Sequence, residues 1–385
     1  MLLLRRLALA FALSLLSLAP ALANPLLLVD RATLQVLYAE DAGQPWHPAS
    51  LTKLMTAYVA FEEIGKGTVT LDTPVTLSRY AVSQPPSRSG LKADSTVSLK
   101  DALYILIVKS ANDIAVGIAE TVAGSEAAFV AKMNDVARRM GLTATHFVNP
   151  HGLHDPRQVT SARDLAILSL YIEQTFPQYM PIFRTSVVQL GDVTLRSQNE
   201  LLTSFAGAIG MKTGYVCASG LNMVAGADRN GRKMMAVVLG GSSGRDRNER
   251  AAELLLKGLS GSLPGTGQSV LELSNTVGAV PVDMRPNICG KQADAYVKAR
   301  EEAFPIGLDG HPSYLTDKIA DVEHVAIDLG RIRIGIALPR PRPPHVPVFP
   351  SQDVAANDNV DVSLRPGLDP AANPDIPYPR PRPNR

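Results

Sequence analysis

Three short strings carry side chains suited to acyl transfer. Ser50-Leu51-Thr52-Lys53 sets a hydroxyl and an amine three residues apart, so on a helix both share one face, one turn apart. A serine hydroxyl is a weak nucleophile unaided, and a lysine takes its proton only when desolvation or a nearby positive charge lowers the amine's pKa. A second lysine would supply that charge, and a helix N-terminus favours negative charge developing at Ser50. Ser110-Ala111-Asn112 offers a second hydroxyl to relay a proton and a carboxamide to bond a substrate peptide group. In Lys212-Thr213-Gly214, the first two side chains suit a carboxylate, and Gly214 lets a peptide backbone come close.

Each string also has a bland counterpart. Ser50 alone would pass for a helix cap with a solvated Lys53. Ser89-Gly90-Leu91-Lys92 repeats the Ser-x-x-Lys spacing, but it follows Pro85-Pro86 and contains a glycine, so it reads as a loop with no fixed face. Ser197-Gln198-Asn199 repeats the Ser-x-Asn spacing, which at Ser110 could be no more than an N-cap. Lys212 could be an ordinary strand lysine. Composition predicts a Lys-Thr-Gly triplet only about 0.1 times in a chain this long, so its place downstream of the other two strings is informative.

The surrounding patterns say which elements hold these strings. Leu26 to Val29 and Leu34 to Leu37 flank a polar turn, which predicts a hairpin. Leu51, Leu54, Met55, Tyr58 and Val59 at helical spacing, ending before Gly65, predict a helix entered at Ser50. Residues 99–108 and 114–122 read as helices separated by the polar break that contains Ser110 and Asn112, and 129–140 and 161–170 as further helices. Strands follow at 211–216, 221–227 and 234–239, then a helix from Arg247 to Leu259. A sheet built from the two ends of this segment and covered by helices is the α/β solution that the order suggests.

Arg5 and Arg6 precede an apolar run from Leu7 to Leu18 and then Ala21-Leu22-Ala23, a pattern that predicts a secretory signal over residues 1–23. Export to the periplasm is the expectation, with membrane contact peripheral at most. The chain has 385 residues, 45% of them hydrophobic, and a net charge of +2; its basic residues are scattered, which excludes a nucleic-acid surface. Cys217 and Cys289 are the two cysteines. In an exported chain their pairing is the natural reading, against the alternative of two buried small hydrophobes. Neither has a Cys or His partner at ligand spacing, so no metal is expected, and no cofactor motif was found. Residues 24–260 read as the working domain and 261–338 as a small accessory region with a helix over 291–303 and alternating Val325, Ile327, Leu329, Ile332, Ile334 and Ile336. The Pro-rich stretch 339–385 reads as a disordered tail.

The three strings in order, with HPASLTKLMTAYVAFE, SANDIAVGIAE, FVNPHGL and GMKTGY around them, resemble the low-molecular-mass penicillin-binding proteins, specifically the D-alanyl-D-alanine carboxypeptidases. The resemblance covers Asn24 to Leu259 and implies a β-lactamase/transpeptidase-like fold: an antiparallel sheet covered by helices, plus a helical subdomain. It implies that Ser50 is acylated, Lys53 takes its proton and Ser110 passes protons to the leaving D-alanine. Asn112 would hold the acyl-side amide, Lys212 and Thr213 the terminal carboxylate, and the N–H groups of Ser50 and Tyr215 the oxyanion. Arg247 falls where the family places a carboxylate-binding arginine, and His151 reads as a structural histidine. Peptidoglycan stem peptides and β-lactams are the implied partners. Gln198 stands where the family often has arginine. A bridge from Cys217 to Cys289 would tie the accessory region to the rim of the site. A D,D-endopeptidase shares this machinery. A serine β-lactamase would need a deacylating base, and no segment between Asn112 and Lys212 matches the class A glutamate pattern; a non-catalytic peptidoglycan or penicillin binder would not need all three strings intact.

Overall fold

The structure is a computed structural model, and it describes residues 24–331. The predicted signal, the tail and the predicted Ile332, Ile334 and Ile336 lie outside those residues.

An antiparallel five-stranded sheet forms the spine. Its strands are β1 (Leu26–Asp30), β2 (Val36–Glu40), β3 (Ala208–Val216), β4 (Gly220–Arg229) and β5 (Arg232–Gly241), in the order β2-β1-β5-β4-β3. The N-terminal hairpin therefore joins the C-terminal meander through β1 and β5, with Leu27 opposite Val237 and Leu28 opposite Ala236. Alternation along the strands supplies both faces of the sheet with apolar residues. Leu27, Val29, Met235, Val237 and Leu239 enter the larger core, and Leu26, Leu28, Met234, Ala236 and Val238 enter the smaller one.

Helix α1 (Thr52–Gly65) runs through the larger core. From Leu51 to Ala60 its residues are buried on every side, Lys53 included, the mark of a helix wrapped by others. Around it lie α2 (Leu99–Val108), α3 (Asn112–Ala123), α4 (Glu126–Arg139) and α5 (Ala162–Thr175). The smaller core lies between the other sheet face and α6 (Gly244–Ser260), whose Ala251, Ala252 and Leu255 pack on Leu28, Met234 and Ala236.

Sequence and structure differ at the entry to α1. Ser50 is not the first residue of the α-helix but the middle of a 3-10 turn, Ala49–Leu51, that leads into it. The strand expected along the alternating run from Val325 is only Glu323–Ala326, pairing parallel with Val187–Leu190. Beyond it, Leu329 N–H donates to Thr96 O instead. Sequence periodicity missed the antiparallel pairs Pro74–Thr76 with Thr96–Ser98 and Val187–Leu190 with Val193–Arg196, because three or four residues are too few to show a period.

Residues 262–331 lie along the surface of the sheet-and-helix body. The backbones of Val36 and Leu34 pair with Gln268 and Val270, Met284 N–H donates to Ala218 O, and Ile319 N–H donates to Thr203 O. Cys217 and Cys289 form a disulfide that closes 72 residues of chain.

Candidate active site

Ser50 lies where three elements converge, and each is pinned there by buried polar groups. Asn222, on β4, donates to His47 O and Pro48 O at 2.9 and 3.3 Å and accepts from Gly240 N–H at 2.9 Å, which fastens the approach to Ser50 onto the sheet. Ala49, just before Ser50, has φ +49°, in the left-handed region. That strain is tolerated only because the surroundings fix it. Gly214 of β3 passes so close that a Cβ there would lie 3.0 Å from Pro48 O and Ser50 N. Gly152, at φ +90°, faces the same turn from the other side, and a Cβ there would meet Ala49 O at 1.9 Å. Glycine is required at Gly152 by proximity and by backbone conformation, while at Gly214 any larger residue would crowd the turn by a few tenths of an ångström.

The loop carrying Gly152 is tied to α1. Gln158 donates to Thr52 Oγ1 at 3.1 Å and accepts from Val148 and Asn149 N–H at 2.9 Å each, while Thr56 donates to Pro150 O at 2.6 Å. This brings His151 O to 2.6 Å from Lys53 Nζ. The amine also lies 2.8 Å from Asn112 Oδ1 and 3.0 Å from Ser50 Oγ. Two of these neighbours are fixed acceptors and the third is a hydroxyl whose proton can turn. A neutral amine donates to His151 O and Asn112 Oδ1 and accepts from Ser50 Oγ–H, the arrangement a proton acceptor needs. Burial pushes the Lys53 amine well below its ordinary value, the charge of Lys212 pushes it further, and Asp113 opposes them.

Lys212 is itself buried and brought down to about 7, first by desolvation and then by Arg247. Arg247 in turn is lowered to about 10 by burial, with Glu200 opposing. Its guanidinium donates to Gln198 O and Asn248 Oδ1, so its charge is felt at the cleft through Lys212. Lys212 Nζ donates to Thr213 O at 2.7 Å.

The break between α2 and α3 holds Ser110 at φ +61°, a second non-glycine residue in the left-handed region beside the site. Asn112 is fixed by its N–H to Ser87 O at 2.8 Å and its Nδ2 to Pro85 O at 2.9 Å. Under this turn, Ser89 donates its N–H and hydroxyl to the buried Asp113, the hydroxyl at 2.6 Å. The second Ser-x-x-Lys string is therefore a loop, as its prolines predict, but Ser89 is anchored rather than loose.

Ser50, Ser110, Asn112, Thr213, Gly214 and Tyr215 line one cleft of about 390 Å³. Lys53 and Lys212 are buried behind its walls. The three strings that the sequence singled out thus meet at one place. Sequence reasoning missed Asn222, Gln158 and the His151 carbonyl, which act through backbone contacts that no spacing reveals. At the rim, Tyr215 Oη lies 3.2 Å from Cys289 Sγ of the disulfide. His151 is buried and its imidazole is held neutral, down to about 3, by desolvation and then by the Lys53 charge; its Nδ1 accepts from Leu153 N–H at 3.1 Å. Among the described residues no group of three His, Cys, Asp or Glu side chains could hold a metal ion.

A serine beside a buried amine, under a sheet edge that offers a second amine, defines a serine acyl-transfer enzyme of the transpeptidase fold. The family model described as D-alanyl-D-alanine carboxypeptidase (Peptidase S11) matches residues 18–243. The chain is 37% identical over 277 residues to the D-alanyl-D-alanine carboxypeptidase DacD of Salmonella typhimurium, covering 66% of this chain and 71% of that one. It is also 37% identical over 235 residues to DacD of Escherichia coli, covering 59% and 61%. The fold matches penicillin binding protein 6B from Escherichia coli with a TM-score of 0.57 and 37% identity, over 60% of this chain and 75% of that one. Penicillin-Binding Protein D2 from Listeria monocytogenes in its ampicillin-bound form matches at TM-score 0.53 and 27% identity, over 61% and 96%. The chain belongs to the D-alanyl-D-alanine carboxypeptidase family.

Proposed function

We propose that this chain is a serine D-Ala-D-Ala carboxypeptidase that removes the terminal D-alanine from peptidoglycan stem pentapeptides through an acyl-enzyme on Ser50, and that penicillins acylate the same hydroxyl. The observation that carries the reading is Lys53 Nζ at 3.0 Å from Ser50 Oγ, buried and held toward its neutral form.

In this reading the neutral Lys53 takes the Ser50 proton as Oγ attacks the penultimate D-alanine carbonyl. The N–H groups of Ser50 and Tyr215 receive the developing oxyanion. Lys212 and Thr213 hold the terminal carboxylate, strengthened by the Arg247 charge behind them, and Asn112 holds the acyl-side amide. Ser110 returns a proton to the departing D-alanine amine. Water then hydrolyses the ester. A cell-wall substrate agrees with the charged-then-apolar pattern of residues 1–23, and we infer a periplasmic site of action; fractionation of cells tests that.

Labelling with fluorescent penicillin and release of D-alanine from a stem pentapeptide test the activity together. Both should occur with the parent chain, and both should vanish in Ser50→Ala. Lys53→Ala should block labelling while leaving a folded domain. Penicillin binding without D-alanine release would favour a non-catalytic binder, and rapid penicillin turnover would favour a lactamase.

A further inference from the structure

The turn that follows the Lys-Thr-Gly string, Cys217 to Ser219, is held from three sides. Trp46 Nε1 donates to Ser219 O at 2.9 Å, Met284 N–H donates to Ala218 O at 3.0 Å, and Cys217 is bonded to Cys289. Trp46 and Met284 are both buried, so these two hydrogen bonds fix the middle and the far end of the turn. Its near end, where β3 runs out, has the disulfide instead. β3 is an edge strand, so Tyr215 and Val216 pair with Leu221 and Gly220 of β4 on one side and line the cleft on the other. The end of an edge strand is where a sheet opens most readily.

Tyr215 connects this strand end to the chemistry. Its N–H is the second oxyanion donor in the reading above, and its ring, 49% exposed, lies at the mouth of the cleft. Among the described residues the only polar atoms its hydroxyl meets are the two bridge sulfurs, Cys289 Sγ at 3.2 Å and Cys217 Sγ at 3.8 Å. Sulfur is a weak acceptor, but the ring and the strand end are held through the same covalent link. That link is open to attack, since Cys289 is exposed and Cys217 only half-buried. Exposed disulfides are the ones that exchange readily with thiols. Cys289 lies past the family match, which ends at 243, so the bridge joins the chain's extension to the site.

We propose that the Cys217–Cys289 bridge is a positioning element of the active site, and that opening it by exchange with a dithiol reversibly slows acylation at Ser50. The proposal rests on the acyl-enzyme reading above and adds a regulation to that same site. A thiolate of the dithiol attacks the exposed Cys289 Sγ, the S–S bond breaks, and Cys217 leaves as a thiolate that takes up a proton. The second thiolate of the dithiol then attacks the reductant's own sulfur in the mixed disulfide, and Cys289 leaves and takes up a proton in turn. Two electrons and two protons have passed from the dithiol to the bridge, and the dithiol has become a disulfide. The turn stays docked through Trp46 and Met284, but the end of β3 loses its covalent hold. An oxyanion donor works only within about 3 Å of the charge it receives, so freedom at Tyr215 costs rate rather than fold.

The test follows penicillin acylation of the full chain in three states: bridged, reduced with dithiothreitol, and Cys217→Ser/Cys289→Ser, at a temperature where circular dichroism shows each of them folded. The reduced chain and the double variant should acylate about tenfold more slowly, less than the hundredfold or more that loss of a whole oxyanion donor costs. The final labelled fraction should match that of the bridged chain, because a positioning defect slows every molecule whereas partial unfolding removes some of them. Reoxidation should restore the rate of the reduced chain and leave the double variant slow. Tyr215→Phe keeps the bridge but loses the contact with its sulfurs; it should slow the bridged chain about threefold and the double variant no further, since both changes act on one contact. An unchanged rate in the reduced chain or the double variant, a lowered labelled fraction at the parent rate, or the same loss from Tyr215→Phe in both backgrounds would overturn the proposal. A bridged chain that takes the label but releases no D-alanine removes the carboxypeptidase reading and leaves the effect on acylation standing. One that takes no label removes both.

Discussion

Replacing Lys212 with methionine should make the protein more stable and nearly inactive. Lys212 is buried and lowered from 10.5 to about 7. At 1.36 kcal/mol per pH unit that corresponds to a penalty on the order of 5 kcal/mol for the charged form in the folded chain. Between about 7 and 10.5 the unfolded chain carries a proton that the folded chain lacks, so stability rises with pH over that window. The penalty is fully present below about 7 and disappears toward 10.5. Methionine keeps most of the side chain's packing, removes the penalty and relieves Arg247, but forfeits the bond to Thr213 O, worth about 1 kcal/mol. A net gain of up to about 4 kcal/mol at pH 6, shrinking to nothing near pH 10, is expected. Urea unfolding of parent and variant at both pH values isolates the contribution, because the other titrating groups cancel in the difference. Acylation by penicillin should fall about a hundredfold or more, since Lys212 also holds Lys53 toward its neutral form. A variant less stable than the parent at pH 6, or a difference unchanged between pH 6 and pH 10, would refute the reasoning.

Three further outcomes follow from the same geometry. Ser89→Ala should keep penicillin labelling but cost about 1 to 3 kcal/mol in urea unfolding, because it removes the hydroxyl that the buried Asp113 accepts. Gly152→Ala should slow acylation at least about a hundredfold with little change in secondary structure by circular dichroism, since its Cβ would drive into Ala49 O beside the nucleophile. Replacing Cys217 and Cys289 together by serine should destabilise the chain by up to about 4 kcal/mol, the loop-entropy figure for a closure of this length. A Tm that reductant lowers in the parent but not in the double variant would confirm that the bridge is the cause.

The legible parts of this fold are those whose local pattern and tertiary role coincide. The meander from Met211 to Leu239 reads as strands because its residues are largely apolar and bounded by turn residues, and it forms three of the five strands of the sheet. The break between α2 and α3 reads as polar because it faces the cleft. The helix after Ser50 gave its length but not its burial, since a core helix and an amphipathic one share the spacing of Leu51, Leu54 and Met55. Short strands such as Pro74–Thr76 exist only because a partner strand is present, so they leave no periodic trace.

By itself the sequence determined which groups could act: a hydroxyl with an amine three residues on, a Ser-x-Asn break, and one Lys-Thr-Gly triplet. Those facts belong to side-chain chemistry and to distances along the chain. Tertiary structure alone decided that Lys53 is neutral-leaning, that Lys212 is close enough to affect it, and that Asp113 secures the false Ser89 string. A pKa is set by the dielectric and the charges around a group. Here those are supplied by segments dozens to hundreds of residues away, which only the closed sheet and its helices bring together.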